Sequence, residues 1–196
     1  MPVTYTNRKG HTYYLCKGMT KTGKMRYYFA RQPKERSPDQ IPDGYRISES
    51  VNGVVSLVKD RPQLILPHEV ASVEASLDRH PKGRDYRVTV QKNQIVIYER
   101  LGPDMETLID MFGKLRPLQP EIMKQRTQEG LDKFARFSPI MRFILLDSDD
   151  RKYKAERWNF MGDIDDWIDI GESGKLENLA RRLIPQLGTD DFFELY

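Results

Sequence analysis

The pair Asn52-Gly53 lies between YRISES and VVSLVKD, and this stretch constrains the local fold more than any other in the chain. Asn and Gly both accept the positive φ that tight turns demand, so the segment predicts two antiparallel strands. Similar punctuation occurs upstream. HTYYLCKG and MRYYFAR are aromatic and β-branched runs separated by MTKTGK, whose Gly23 suits a longer hairpin loop. Two such hairpins predict a small four-stranded sheet. Between them QPKERSPDQIPDG carries three prolines and a Pro-Asp-Gly step, and reads as a loop.

Beyond an extended linker from Pro62 to Pro67, Val70, Val73 and Leu77 repeat at helical spacing. In DYRVTVQKNQIVIYER, Tyr86, Val88 and Val90 alternate with Arg87, Thr89 and Gln91, and the return strand carries Ile95 and Ile97 after a Lys92-Asn93 turn. DMETLIDMFGKL places Met105, Leu108, Ile109, Phe112 and Leu115 on one helical stripe, and a second helix is expected from Pro120 toward Arg136. MRFILLD reads as a strand buried on both faces, with KYKAERWNF as its partner across the SDDR turn. MGDIDDWIDIGESG reads as acidic and irregular. The final helix, LENLARRLIPQL, is shortened by Pro185 and capped by Gly188.

Strands and helices cluster rather than alternate, which defines an α+β class. Antiparallel hairpins stand at the N-terminus and centre, followed by helices and a C-terminal hairpin plus helix. The expected organisation is a basic β-hairpin region over 1–62 and an α+β region over 63–196, or one continuous domain.

The net charge of +3 conceals a strong asymmetry. Residues 1–36 hold nine Lys/Arg against one acid, whereas residues 144–196 hold seven against thirteen. Local potential steers partners more than the total does. The basic end therefore attracts a polyanion, or the acidic end of its own chain or of another copy. The apolar runs are too short to span a bilayer, so no membrane partner is expected. A single cysteine excludes an intrachain disulfide, and MPVTYTNRKG lacks the apolar core of a secretory signal. A cytoplasmic location is the expectation.

The basic density peaks in TKTGKMRYYFARQPKER, residues 20–36. Strand alternation puts the more apolar set Met25, Tyr27, Phe29 and Arg31 toward the core. Arg26 and Tyr28 then point outward beside Lys21 and Lys24. Arg8 and Lys9 on the leading arm, with Lys34 and Arg36 in the following loop, widen the patch. Lys and Arg neutralise phosphates while exposed aromatics stack on bases, so these eight residues form a candidate site for DNA or RNA. The plain alternative is a solvated strand face, whose charges also deter edge pairing. No established nucleic-acid motif accompanies the patch.

Evidence for catalysis is thin. His11, His68 and His80 are scattered, Cys16 has no histidine near it in sequence, and KTGK holds one glycine without a following helix. No catalytic residue and no cofactor is assigned. Asp147, Asp149 and Asp150 form one acidic cluster, and Asp163, Asp165, Asp166 and Asp169 another. Paired carboxylates bind Mg²⁺ or Ca²⁺. Neither cluster fits a calcium loop, because the sixth and twelfth positions are Lys152 and Trp158 in one case and Ile168 and Gly174 in the other. Turn chemistry accounts for the first cluster and helix-start charge for the second, and no metal ligand is assigned.

TYYL, TKTGK with YYF, IPDGY, RFILLD, AERWNFMG, DDWIDIG and the closing FFELY together resemble an uncharacterised family of hypothetical prokaryotic proteins, over most of the chain. The resemblance implies a single inherited unit and brings no activity, ligand or catalytic residue. The leading expectation is therefore a nucleic-acid-binding accessory protein that uses its basic-aromatic hairpin. One alternative is a protein-interaction or self-associating module anchored by Trp167, with a protein partner or a homo-oligomer. Another is a metal-dependent hydrolase built on the C-terminal aspartates.

Overall fold

The computed structural model describes the chain outside residues 35–36, 103–106, 108–110, 112–129, 131, 162–163 and 196, and outside the side chains of 161, 164 and 165. The helices expected over 104–115 and 120–136 fall largely outside the described residues, as does Arg36. The class is α+β with antiparallel sheets. The chain divides into two compact units, Met1–Arg61 with Gln125–Ala135, and Pro62–Lys124 with Arg136–Tyr196.

In the first unit β1 (Thr4–Thr6), β2 (Thr12–Met19) and β3 (Met25–Ala30) form a three-stranded antiparallel sheet. β4 (Tyr45–Glu49) and β5 (Val55–Lys59) pair separately. The two hairpins thus do not merge into the expected four-stranded sheet. Instead TYT, which precedes the first aromatic run, takes the free edge of β2. The β4–β5 hairpin joins the unit through side chains. Tyr5 donates its hydroxyl to Glu49 Oε2 at 2.9 Å, Arg8 N–H donates to Glu49 Oε1 at 2.9 Å, and the rings of Tyr27 and Tyr45 lie 6.3 Å apart.

One loop design closes all three hairpins of this unit. Asn7, Thr20 and Ser50 each start a five-residue loop in which the glycine at the fourth position donates its N–H back to the first residue's carbonyl. Those glycines, Gly10, Gly23 and Gly53, have φ of 76°, 76° and 77°, a conformation that excludes most side chains. The first residue's side-chain oxygen then accepts the N–H of the fifth: Asn7 from His11 at 2.9 Å, Thr20 from Lys24 at 3.0 Å and Ser50 from Val54 at 3.1 Å. This is a type I turn followed by a left-handed glycine, longer than a two-residue Asn-Gly turn. Asn7 is buried and also donates to Gly53 O at 2.7 Å, which ties one loop to another.

The second unit is an antiparallel meander with helices against one face. Helix α1 (Pro67–Asp78) is followed by β6 (Tyr86–Gln91), β7 (Gln94–Arg100), β8 (Phe137–Asp147), β9 (Lys152–Met161) and β10 (Ile164–Gly174). The chain closes with α2 (Leu176–Leu183), a 3₁₀ turn at Ile184–Gln186 forced by Pro185, and α3 (Asp190–Phe193). The sheet order is β10-β9-β8-β7-β6. Ile95, Ile97, Met141, Phe143, Tyr153 and Ala155 share a core with Val73 and Leu77 of α1, Leu179 and Leu183 of α2, and Phe192 of α3. Full burial of each large apolar side chain stabilises by about 1.5–3 kcal/mol.

Two expectations are corrected here. β8 is buried alternately, with Met141, Phe143 and Leu145 inside and Arg142 and Ile144 half-exposed, because only one face carries helices. MGDIDDWIDIGESG is mainly strand: Trp167 pairs Trp158 across the ladder, Ile170 enters the core, and the acids occupy a sheet edge. Charge at an edge strand discourages pairing with other chains.

Glu69 fastens α1 to the β8–β9 turn. Its Oε2 accepts the Leu66 N–H at 2.8 Å, the reciprocal half of a capping box, and its Oε1 accepts Arg151 Nε at 2.9 Å. Arg151 also donates to Tyr153 Oη at 3.0 Å and Leu64 O at 3.2 Å. Among the described residues no helix is long and apolar enough to cross a membrane.

Candidate nucleic-acid interface

The β2–β3 register sets the faces of the basic hairpin. Cys16 pairs Tyr28, Gly18 pairs Arg26, and Met19 pairs Met25. Arg26 and Tyr28 therefore share one face with Cys16 and Gly18, while Tyr27 and Phe29 share the other, as alternation requires. Cys16 is fully buried because the loop after β3 crosses this face. Its Sγ is 3.8 Å from Ser37 Oγ, and Pro38 O accepts the Val3 N–H at 3.0 Å.

That crossing brings Lys34 to the aromatic. Lys34 Nζ lies 5.4 Å and the Arg26 guanidinium 5.2 Å from the Tyr28 ring centroid. Each contact contributes about 0.5–1 kcal/mol at an exposed site. Gly18 makes room for the ring, since a Cβ there would stand 3.2 Å from Tyr28 Cε1. A groove of about 460 Å³ opens beside this cluster, lined by Lys17, Gly18, Met19, Met25, Ser37 and Pro38. Met19 and Met25 are 62% and 56% exposed, so the last rung of the hairpin presents two flexible apolar side chains to solvent. Lys21 and Lys24 project from the loop beyond them, both exposed.

The candidate residues thus separate into two groups. Arg26, Tyr28 and Lys34 meet on one face of the β2–β3 hairpin, and Lys21 and Lys24 stand in its loop. Arg8 and Lys9 sit in the β1–β2 loop, at the opposite end of the eight-residue β2 and about 26 Å along it. Arg8 is tied into the scaffold: its backbone N–H donates to Glu49 Oε1, and its side-chain Nη2 donates to Ala135 O at 3.1 Å. The Lys9 stem packs against Gly53. Among the described residues Lys21, Lys24, Arg26 and Lys34 have no carboxylate within ion-pair distance. Residues 1–61 as a whole carry twelve Lys/Arg against five Asp/Glu.

The C-terminal candidates are engaged within their own unit. Trp167 stacks edge-on against Trp158 at 5.1 Å and 73°, with the Arg142 guanidinium 4.2 Å from its centroid. Arg142 Nε donates to Glu156 at 2.6 Å, and Lys154 bridges Glu156 at 2.6 Å and Asp169 at 3.1 Å. The Gly171 N–H and then Lys154 hold the Asp169 carboxyl below the usual range. Asp147 accepts the N–H groups of Asp150 and Asp149, which lower its pKa in the same way, as expected of turn chemistry. Asp163 and the side chain of Asp165 lie outside the described residues. Among the described residues no group of three or more His, Cys, Asp or Glu could hold a metal ion.

Sequence reasoning missed a polar cluster at the β6–β7 end. Tyr86 donates to Glu99 Oε1 at 3.3 Å, and the buried Arg100 donates to Asp85 at 3.1 Å. Burial first, then the Asp85 charge, raises the Glu99 pKa, against the Tyr86 hydrogen bond. Burial and Glu99 raise that of Tyr86. No protein-family model, curated protein or solved structure matches the chain, so geometry alone bears on function.

Proposed function

We propose that the chain is a nucleic-acid-binding accessory protein whose grip is the loop end of the β2–β3 hairpin. The observation that carries this reading is the set of cations without carboxylate partners among the described residues: Arg26 and Lys34 lie against the Tyr28 ring, and Lys21 and Lys24 stand exposed in the adjoining loop. The cations neutralise phosphates, with counterion release supplying much of the free energy. Tyr28, Met19 and Met25 offer apolar surface to the bases. Arg8 and Lys9 hold the scaffold rather than the ligand.

Fluorescence anisotropy with labelled single- and double-stranded DNA and RNA tests the proposal. Binding that is largely lost in a Lys21→Ala, Lys24→Ala, Arg26→Ala variant supports it. Absence of binding at low salt, or equal binding by the variant, refutes it. The preferred strand form follows from the same titrations.

A further inference from the structure

The second unit holds a separate basic cavity that the nucleic-acid reading does not use. It measures about 640 Å³ and is lined by Ser76, Arg79, His80, Pro81, Arg181 and Pro185. Arg79 follows the last turn of α1 and Arg181 stands in the last turn of α2. Cations at helix C-termini complement the helix dipole. That explanation accounts for their position but not for a shared cavity. Four other arginines of this unit are committed to acids: Arg182 to Glu172, Arg151 to Glu69, Arg142 to Glu156 and Arg100 to Asp85. Arg79 and Arg181 have no carboxylate within ion-pair distance among the described residues. The Arg79 guanidinium is steadied instead by Ser76 Oγ at 3.3 Å, whose own hydroxyl donates to Ser72 O at 3.0 Å.

His80 forms a flat wall. Its Nδ1 accepts the Lys82 N–H at 3.1 Å, and its Nε2 lies 3.1 Å from Leu187 O. A carbonyl only accepts, so Nε2 carries a proton and both ring nitrogens are engaged within the protein. Edge-on contact with Tyr86 at 5.2 Å fixes its orientation. Two planar guanidinium forks, a flat ring and two prolines lining one cavity suit a compact anion carrying an organic body.

We infer that this cavity binds a small phosphomonoester, the phosphate held by Arg79 and Arg181 and the organic part resting against Pro81, Pro185 and the His80 ring. Thermal unfolding followed by tryptophan fluorescence tests it, because both tryptophans, Trp158 and Trp167, belong to this unit. Inorganic phosphate and adenosine monophosphate are titrated against potassium chloride of equal ionic strength, with adenosine as the uncharged control. A saturable rise in Tm is expected with both phosphates and not with adenosine, greater for the monophosphate at equal concentration. An Arg79→Gln, Arg181→Gln variant should bind roughly tenfold or more weakly, whereas the Lys21→Ala, Lys24→Ala, Arg26→Ala variant should respond like the wild type. That contrast separates this site from the hairpin. If the glutamine variant folds poorly, Arg79→Lys, Arg181→Lys keeps the charge and removes the fork, and should still weaken binding. No saturable rise, or a rise that either arginine variant leaves unchanged, overturns the inference.

Discussion

Replacing Arg151 with Met should destabilise the second unit sharply, because it strands a buried carboxylate. Glu69 is only 3% exposed, and Arg151 supplies its cation. Removing one partner of a buried pair costs about 3–5 kcal/mol. Water reaches the partly exposed Arg151, so the lower end applies, and about 3 kcal/mol in a unit of this size lowers Tm by about 10 °C. Glu69→Gln is expected to be milder, near about 1 kcal/mol, since the amide still accepts the Leu66 N–H and no buried charge is left behind. Tryptophan fluorescence reads this unit selectively.

The pH dependence follows from the same contacts. Burial pushes the Glu69 pKa up, but hydrogen bonds from Arg151 and the Leu66 N–H outweigh it and hold the carboxyl below its ordinary 4.5. A folded value below the unfolded one gives stability that is complete above 4.5 and is lost as pH falls through the folded value. The wild type should therefore lose stability below that pH more steeply than Glu69→Gln. An Arg151→Met variant melting within about 2 °C of the wild type would refute the latch. So would Glu69→Gln proving the more damaging change.

Glu99→Gln has the opposite sign. The Glu99 pKa is raised above its ordinary 4.5, so the wild type loses stability as pH climbs from there through the folded value. The amide keeps an acceptor for Tyr86, and the variant should be more stable by about 1 kcal/mol at pH 8, with the gain shrinking toward acid pH in urea titrations. An unchanged gain at every pH would sink this reading. Gly18→Val should push Tyr28 off its seat and weaken oligonucleotide binding severalfold without changing net charge. The anisotropy titration decides it, and wild-type affinity in that variant would show that the ring's position is irrelevant.

Much of the hairpin architecture is legible in sequence because its determinants are local. Asn7, Thr20 and Ser50 each stand three residues before a glycine, and the five-residue loop follows from that spacing. Alternation likewise puts Arg26 and Tyr28 on one face, as the β2–β3 register has it. Met25 and Arg31, expected toward the core, are instead exposed, and the Arg26–Tyr28 face carries the buried Cys16. Long-range determinants leave no such trace. Nothing near Lys34 announces that its loop folds back over Cys16, and nothing near Arg8 announces the Ala135 carbonyl that its guanidinium reaches. β10 is masked by its acids, since its strand character rests on Trp158 and the ladder with β9. The Arg79–Arg181 cavity depends on two helix ends meeting across a core, which neither helix's own sequence encodes.

The salt dependence of oligonucleotide affinity tests the central claim most directly. If Lys21, Lys24, Arg26 and Lys34 each neutralise one phosphate, log affinity should fall against log salt with a slope of about −2.8 for single strands or about −3.6 for duplex. In the Lys21→Ala, Lys24→Ala, Arg26→Ala variant, residual binding should show a slope of about −0.7 to −0.9. An unchanged slope in the variant would place the phosphates elsewhere and contradict the account.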